Sequence, residues 1–222
     1  MADIKTPAWS HTSLTAFETC PKKYYHTRVK KDIPDPPGEA ALWGQRVHKS
    51  LEERAKDNVP LPDYLSHCEP VIQQILSKDG QRLIEEQIAL NRDLKPVGWF
   101  DKKAWCRGVV DIGVVNEKNA VLLDWKTGKH KPDNDQMKLF AAFSFAKFPW
   151  VKKITTAFVW LKENKTDKEV FDREKHESGI WQEVMPRVIR LEQAYVKDSW
   201  PAKPSGLCKN YCPVRSCEFC GK

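Results

Sequence analysis

The sequence predicts a mixed α/β domain, and three observations carry that prediction. Helical apolar spacing opens the chain, the pattern changes to successive β-compatible runs from about residue 82, and helix and strand patterns then alternate as far as residue 197. At 222 residues the chain is sized for one domain with a substantial core, which excludes two large independent domains. Nine Trp and a hydrophobic share of 41% supply that core, so extended disorder is not expected.

Ser13 is placed to cap a helix through Leu14 and Phe17 that Pro21 disrupts, so two helical pieces meet near Cys20. A second helix runs over about 40–56, with Val47 and Leu51 on its apolar side and Gly44 and His48 four apart on one face. A third covers about 64–77. Strands follow at 82–90, 104–115 and 120–126, each rich in β-compatible apolar residues. A helix at about 133–148, a strand at 152–161 and a helix at 174–197 complete the order, the last with Ile180, Val184, Val188, Leu191 and Tyr195 at helical spacing. Pro34 to Gly38, Pro60 to Pro62 and Trp200 to Gly206 read as loops within one domain, and no internal repeat is present.

Lys and Arg total 37 against 30 Asp and Glu, a net +7 that favours polyanionic partners without identifying one. No apolar run approaches the roughly 20 residues of a membrane span, and the first residues carry no apolar signal core, so a cytoplasmic location is expected. In a reducing compartment clustered cysteines point to metal before disulfides, and four of the seven lie between Cys208 and Cys220.

The most informative stretch is Arg107 to Gly128. Its turn-like centre, Asn116 to Asn119, predicts a β-hairpin. If Val115 faces Ala120, then Val114 faces Val121, Gly113 faces Leu122, Ile112 faces Leu123, and Asp111 faces Asp124. Opposed like charges among Val and Leu are destabilising, so the pair calls for a cation, and Mg²⁺ or Mn²⁺ suits carboxylates and phosphate oxygens. Alternation puts Lys126 on the face of Asp124 and turns Trp125 away, which sets an ammonium beside a metal ligand, where it orients water or offsets charge on a phosphorane.

Gly44-x-x-x-His48, Glu86, Gly108-Val-Val-Asp111, Asp124-Trp-Lys126-Thr-Gly-Lys and Gln136-x-x-x-Phe140 together resemble, in order and spacing, the motifs of RecB-like nucleases of the PD-(D/E)xK superfamily. The resemblance spans most of the chain. It implies a restriction-endonuclease-like core with a central mixed sheet flanked by helices, at about 40–200. It further implies His48, Asp111 and Asp124 as metal ligands, the Trp125 carbonyl as another, Lys126 as the catalytic lysine and Gln136 as a substrate-positioning group. Glu86 matches the strand acid of the family, with Glu85 beside it an equally acidic rival. Phe140 stands where relatives often carry Tyr, which leaves its ring a packing role.

Ser13-Leu-x-x-Phe17-x-x-Cys20-Pro and the terminal cysteines resemble the iron–sulfur subset of these nucleases, which includes AddB nuclease domains, CRISPR-associated RecB-like exonucleases and small phage exonucleases. Two four-thiolate sites fit the count: zinc at Cys208, Cys212, Cys217 and Cys220, or a [4Fe-4S] cluster joining three of these to Cys20. The resemblance favours Cys20, Cys208, Cys212 and Cys217, a staple between residues 13–30 and 205–222. Cys68 and Cys106 read as buried small hydrophobes.

The function expected is a metal-dependent DNA exonuclease in phage-type recombination or DNA processing, acting on single-stranded DNA or free ends, with a recombination or single-strand-binding protein as a possible partner. A structure-selective endonuclease, a catalytically silent nucleic-acid-binding or assembly protein, and a zinc-stabilised interaction module are the alternatives. Abundant Trp suits base stacking, and Lys22, Lys23, Lys30 and Lys31 are candidate phosphate contacts.

Overall fold

The computed structural model describes residues 6–131 and 134–222. The chain divides into two compact units: Gly38–Gln182, and the described residues up to Pro37 together with Glu183–Lys222. The first helix, α1 (His11–Thr19), starts three residues earlier than the sequence reading has it. Ser10, rather than Ser13, is its cap. Ser10 Oγ accepts from the Ser13 N–H and Ser13 Oγ accepts from the Ser10 N–H, a reciprocal capping box with serine at the position usually held by Glu or Gln. Cys20 is extended, and Pro21 opens α2 (Pro21–Tyr24), where its missing N–H goes unmissed. The helical run continues as a π-helical stretch, Tyr25–Val29.

In Gly38–Gln182, α3 (Glu39–Asp57) ends at the left-handed Asn58. The expected third helix is instead a 3₁₀ segment, Asp63–Cys68, followed by α4 (Glu69–Leu76). Pro70 explains the break, because it has no N–H to continue α-helical bonding into the preceding turn. The strands are β1 (Gln81–Leu90), β2 (Pro96–Val97), β3 (Cys106–Val115), β4 (Asn119–Lys126), β5 (Lys153–Trp160) and β6 (Lys165–Asp172), in the sheet order β2-β1-β3-β4-β5-β6. Neighbours are antiparallel except β4 and β5, which are parallel and connected through α5 (Asn134–Lys147). The mixed sheet flanked by helices is the predicted architecture. The expected start of α5 at Asp133 lies outside the described residues.

Strands β2 and β6 have no counterpart in the sequence reading. The first is two residues long, and the second is a charged edge strand that buries only Phe171 and so shows no alternating apolar face. One side of the sheet packs Ile112, Val114, Leu123, Trp125 and Val159 against Val47 and Leu51 of α3 and Ile72 and Ile75 of α4. The other receives α5, whose residues Leu139 to Phe145 are all buried. A helix apolar all round needs cover on two sides. The opening turns of α6 (Arg173–Lys197) provide it: Trp181 stacks on Phe143 at 5.9 Å, and the Arg173 guanidinium sits 4.6 Å from the Phe145 ring centre while donating to the Phe145 and Phe148 carbonyls.

The other unit joins the two ends of the chain. Arg187 of α6 grips Glu18 of α1 with two 2.8 Å hydrogen bonds, and Phe17, Tyr24, Tyr195 and Trp200 form one aromatic cluster. A last short helix, α7 (Leu207–Asn210), enters the cysteine-rich tail. Among the described residues no helix is long and apolar enough to cross a membrane.

Candidate active site

Strands β3 and β4 pair in the register counted from the sequence, from Val115–Ala120 to Ile112–Leu123. One further step would oppose Asp111 to Asp124, and there the ladder stops. The Asp111 carboxylate accepts a 2.8 Å hydrogen bond from the Trp125 N–H instead. Beyond this point β3 continues on β1, while β4 continues on β5 as far as Lys126–Trp160. The expected face-to-face aspartate pair is thus corrected to a fork with one carboxylate in its crotch, an arrangement that relieves opposition of like charges.

The register of β1 sets Ile84 against Ile112 and Glu86 against Val110, leaving Glu85 across from Asp111. Ile112 belongs to the core on the α3 and α4 side, whereas a Cβ on Gly108 would strike the Phe143 ring of α5 at 2.7 Å. Regular alternation would put residues four apart on one face. The alternation therefore slips once between them, and Glu85, with φ of +49°, marks the slip on β1. Such a backbone costs about 1–3 kcal/mol and persists where surrounding structure enforces it.

The slip delivers Glu85 to the site. One ligand atom from each of His48, Glu85 and Asp111 lies within 4.8 Å of the others, and His48 Nδ1 is 3.3 Å from Asp111 Oδ2. His48 reaches this point because α3 runs close to the loop after β4: a Cβ on Gly44 would stand 3.0 Å from Thr127 Oγ1. Glu86 is not brought to the group. Its carboxylate is paired with Lys147 of α5, so the sequence candidate gives way to its neighbour on position.

Asp124 is 6% exposed, and its partners are Lys126 Nζ, 2.6 Å from Oδ2, and Gln136 Nε2, 3.1 Å from Oδ1. Gln136 Oε1 also accepts from Lys126 at 2.7 Å, so this side chain, expected to position substrate, ties the carboxylate to the ammonium. Phe158 of β5, absent from the sequence reading of the site, lies under the ammonium with its ring centre 4.3 Å from Nζ. Trp125 turns its side chain into the core, as alternation requires, and offers only backbone to the site.

Burial, with the Asp111 charge, raises the Asp124 carboxyl to about 6, and the same two causes raise Glu85 to about 7. Burial alone would lower His48, but its hydrogen bond to Asp111 and the nearby carboxylates outweigh that and raise it. Asp124 Oδ2 accepts no hydrogen bond of good geometry despite the nearby ammonium. Three crowded carboxylates, one with an orphaned buried oxygen, and an imidazole form a donor set that fits a divalent cation.

In the other unit, Cys20, Cys208, Cys212 and Cys217 line one small pocket together with Lys22 and Val214. Backbone N–H groups of Lys203 and Ser205 donate to the sulfurs of Cys20 and Cys208 at 3.5 and 3.4 Å. Cys220 is not among the lining residues, and its sulfur contacts Arg215 and the Cys212 carbonyl. Among the described residues no three cysteine sulfurs approach within 4.8 Å of one another. Cys68 and Cys106 are buried as expected, which pushes the Cys68 thiol up to about 11 and the Cys106 thiol higher.

A forked mixed sheet with a carboxylate on each arm, a lysine two residues beyond the second and a histidine supplied by the covering helix defines a nuclease core. Residues 8–218 match the PD-(D/E)XK nuclease superfamily, and the chain belongs to it. No curated protein matches the chain in sequence. Among solved structures, a candidate exonuclease from Eubacterium rectale shares 14% identity at a TM-score of 0.52, over 92% of this chain and 86% of that one. The SSO0001 protein shares 15% identity at a TM-score of 0.49, over 98% and 90% respectively. At 14% identity the likeness to the Eubacterium rectale protein speaks for the fold alone.

Proposed function

We propose that the protein is a Mg²⁺- or Mn²⁺-dependent deoxyribonuclease that works as an exonuclease in phage-type recombination or DNA processing. The observation that carries the reading is the gathering of His48, Glu85 and Asp111 beside the Asp124–Lys126 pair. His48, Asp111, Asp124 and the Trp125 carbonyl, joined by Glu85, would hold the ion. When bound, it supplies Lewis-acid polarisation of the scissile phosphate and a more acidic water. With an ion on the Asp124 carboxylate, the Lys126 ammonium beside it would serve the attacking water and the charge that develops on the phosphoryl oxygens. Gln136 holds the ammonium by its 2.7 Å hydrogen bond, and Phe158 gives it an apolar floor.

The test is cleavage of 5′- and 3′-labelled single- and double-stranded DNA with Mg²⁺, Mn²⁺ or EDTA. Metal-dependent release of short products from the labelled ends is expected. Nicking of circular DNA would move the reading to a structure-selective endonuclease, and binding without cleavage to the silent assembly role.

The metal set also predicts a pH dependence. Glu85 and Asp124 have folded-state values above the ordinary carboxylate range, so between about pH 4 and 7 the metal-free folded chain holds more protons than the unfolded chain. Their contribution to metal-free stability therefore grows as pH falls through that window. Mn²⁺ must displace those protons, so its stabilising effect runs the opposite way. The rise in melting temperature on adding Mn²⁺ is expected to be several degrees larger at pH 8 than at pH 5.5, and an equal rise at both would remove these carboxylates from the ligand set.

For the cysteines, the reading is a structural [4Fe-4S] cluster on Cys20, Cys208, Cys212 and Cys217. The shared pocket and the N–H···S bonds at two of its sulfurs support it.

A further inference from the structure

The first turns of α3 are unusual for a helix with a well-buried inner face. Val47 and Leu51 are 1% exposed, yet Leu42 and Trp43, just before them, are 41% and 37% exposed, and Tyr64 next to Trp43 is 50% exposed. The Trp43 and Tyr64 rings lie 5.1 Å apart. Single exposed apolar residues need no explanation, but here Leu42 and Trp43, the latter against Tyr64, border a cleft of about 580 Å³ lined also by Arg46, Thr127 and Lys162. Among the described residues, Glu39 is the only acid on its wall.

The cleft is lined by residues that adjoin those of the reaction centre along the chain on two elements, α3 and the end of β4. Thr127 directly follows Lys126 and is the atom group against which Gly44 allows α3 to press. Trp43 lies five residues before His48 on the same helix, about 7.5 Å along its axis at 1.5 Å per residue. That rise corresponds to about two nucleotide steps of 3.4 Å.

We infer that Trp43, backed by Tyr64 and Leu42, is a stacking subsite for an unpaired nucleobase next to the scissile phosphate, with Arg46 and Lys162 meeting the flanking phosphates. The inference rests on the nuclease reading and names the part of the substrate that α3 receives. An indole face suits any base, so the subsite selects for an unpaired strand rather than for a sequence. The Arg46 guanidinium, 5.7 Å from the Trp43 ring centre, is placed to swing from the ring to a phosphate when a base arrives.

The experiment uses the full chain and short single-stranded oligonucleotides carrying 2-aminopurine at successive positions from each end, bound in EDTA so that no cleavage intervenes. Fluorescence quenching at one position is expected with the wild type. Trp43→Ala should remove that quenching and weaken binding by about tenfold to a hundredfold, while Trp43→Phe keeps most of both. With Mg²⁺ or Mn²⁺, Trp43→Ala should lower kcat/KM on single strands by a similar factor. Unchanged quenching and affinity in Trp43→Ala overturn the subsite, and if the wild type still cleaves, the nuclease reading survives alone. Quenching that depends on Trp43 in a chain that cleaves nothing keeps the subsite and overturns the nuclease reading. Melting curves identify a variant that has failed to fold, in which case the Trp43→Phe and Arg46→Ala pair decides by the same readouts.

Discussion

Lys126→Ala is expected to lower kcat on DNA by about 10³-fold with little change in DNA affinity, close to 4 kcal/mol of transition-state stabilisation. The magnitude follows from position. The ammonium is held by Asp124, Gln136 and the Phe158 ring beside a buried carboxylate, where charge developing on the phosphate is less screened than in bulk water. Lys126→Arg should not restore the rate, because a planar fork cannot take the place of a compact ammonium between a carboxylate and an amide. Removing the lysine also strips Asp124 of its cation in the metal-free chain, so its carboxyl should rise further and Mn²⁺ should bind no more weakly at pH 8. Single-turnover cleavage together with Mn²⁺ titration separates these effects. A Lys126→Ala protein that is folded, binds metal and DNA, and cleaves within fivefold of the wild type would end its catalytic role.

The companion substitutions ask whether the strand slip matters. Glu85→Gln should weaken Mn²⁺ binding by about tenfold or more, since it removes a donor from the group of three. Glu86→Gln should change it by less than about threefold, because that carboxylate serves Lys147.

The difference between these two glutamates shows where the sequence stops being legible. The hairpin register could be counted because its apolar residues alternate without interruption from the turn outward, and the structure keeps that register to Ile112–Leu123. The next pair is where the count fails. An aspartate whose carboxylate caps the Trp125 N–H replaces a ladder rung, and the left-handed Glu85 across from it exchanges the faces of β1. Neither event leaves a trace in hydrophobic periodicity, since Glu-Glu is equally polar in either orientation. Gly108 was visible as a motif glycine, but its reason, the Phe143 ring pressed on the strand, requires knowing that α5 crosses there. Edge strand β6 was invisible for a different cause: its stability comes from pairing with β5, and its exposed side chains follow no core. Ser10 is hidden as a cap because Ser13, at the third helical position, mimics the cap it answers.

The second large effect concerns the cysteine pocket. The unit formed by the two chain ends contains about 70 described residues, a size at which helices and one aromatic cluster supply little surplus stability. Its segments are tied by the half-buried Arg187–Glu18 pair and by two exposed links of small individual worth, Lys22–Glu218 at 2.7 Å and the Lys203 ammonium on the Glu18 carbonyl. A thiolate-bound centre is a far stronger staple, with apparent binding free energies of about 10 kcal/mol or more for structural metal sites. Cys20→Ser is therefore expected to cost most of the bound iron and sulfide in anaerobically prepared protein and to make the Tyr24 to Trp200 region unfold well below the rest of the chain, as read by hydrogen exchange. Cys220→Ser should retain both iron and protection, because its sulfur faces Arg215 and the Cys212 carbonyl instead of the pocket. The discriminating result is the reverse pattern: stoichiometric zinc, kept by Cys20→Ser and lost by Cys220→Ser, would replace the cluster with a four-thiolate zinc site confined to the tail.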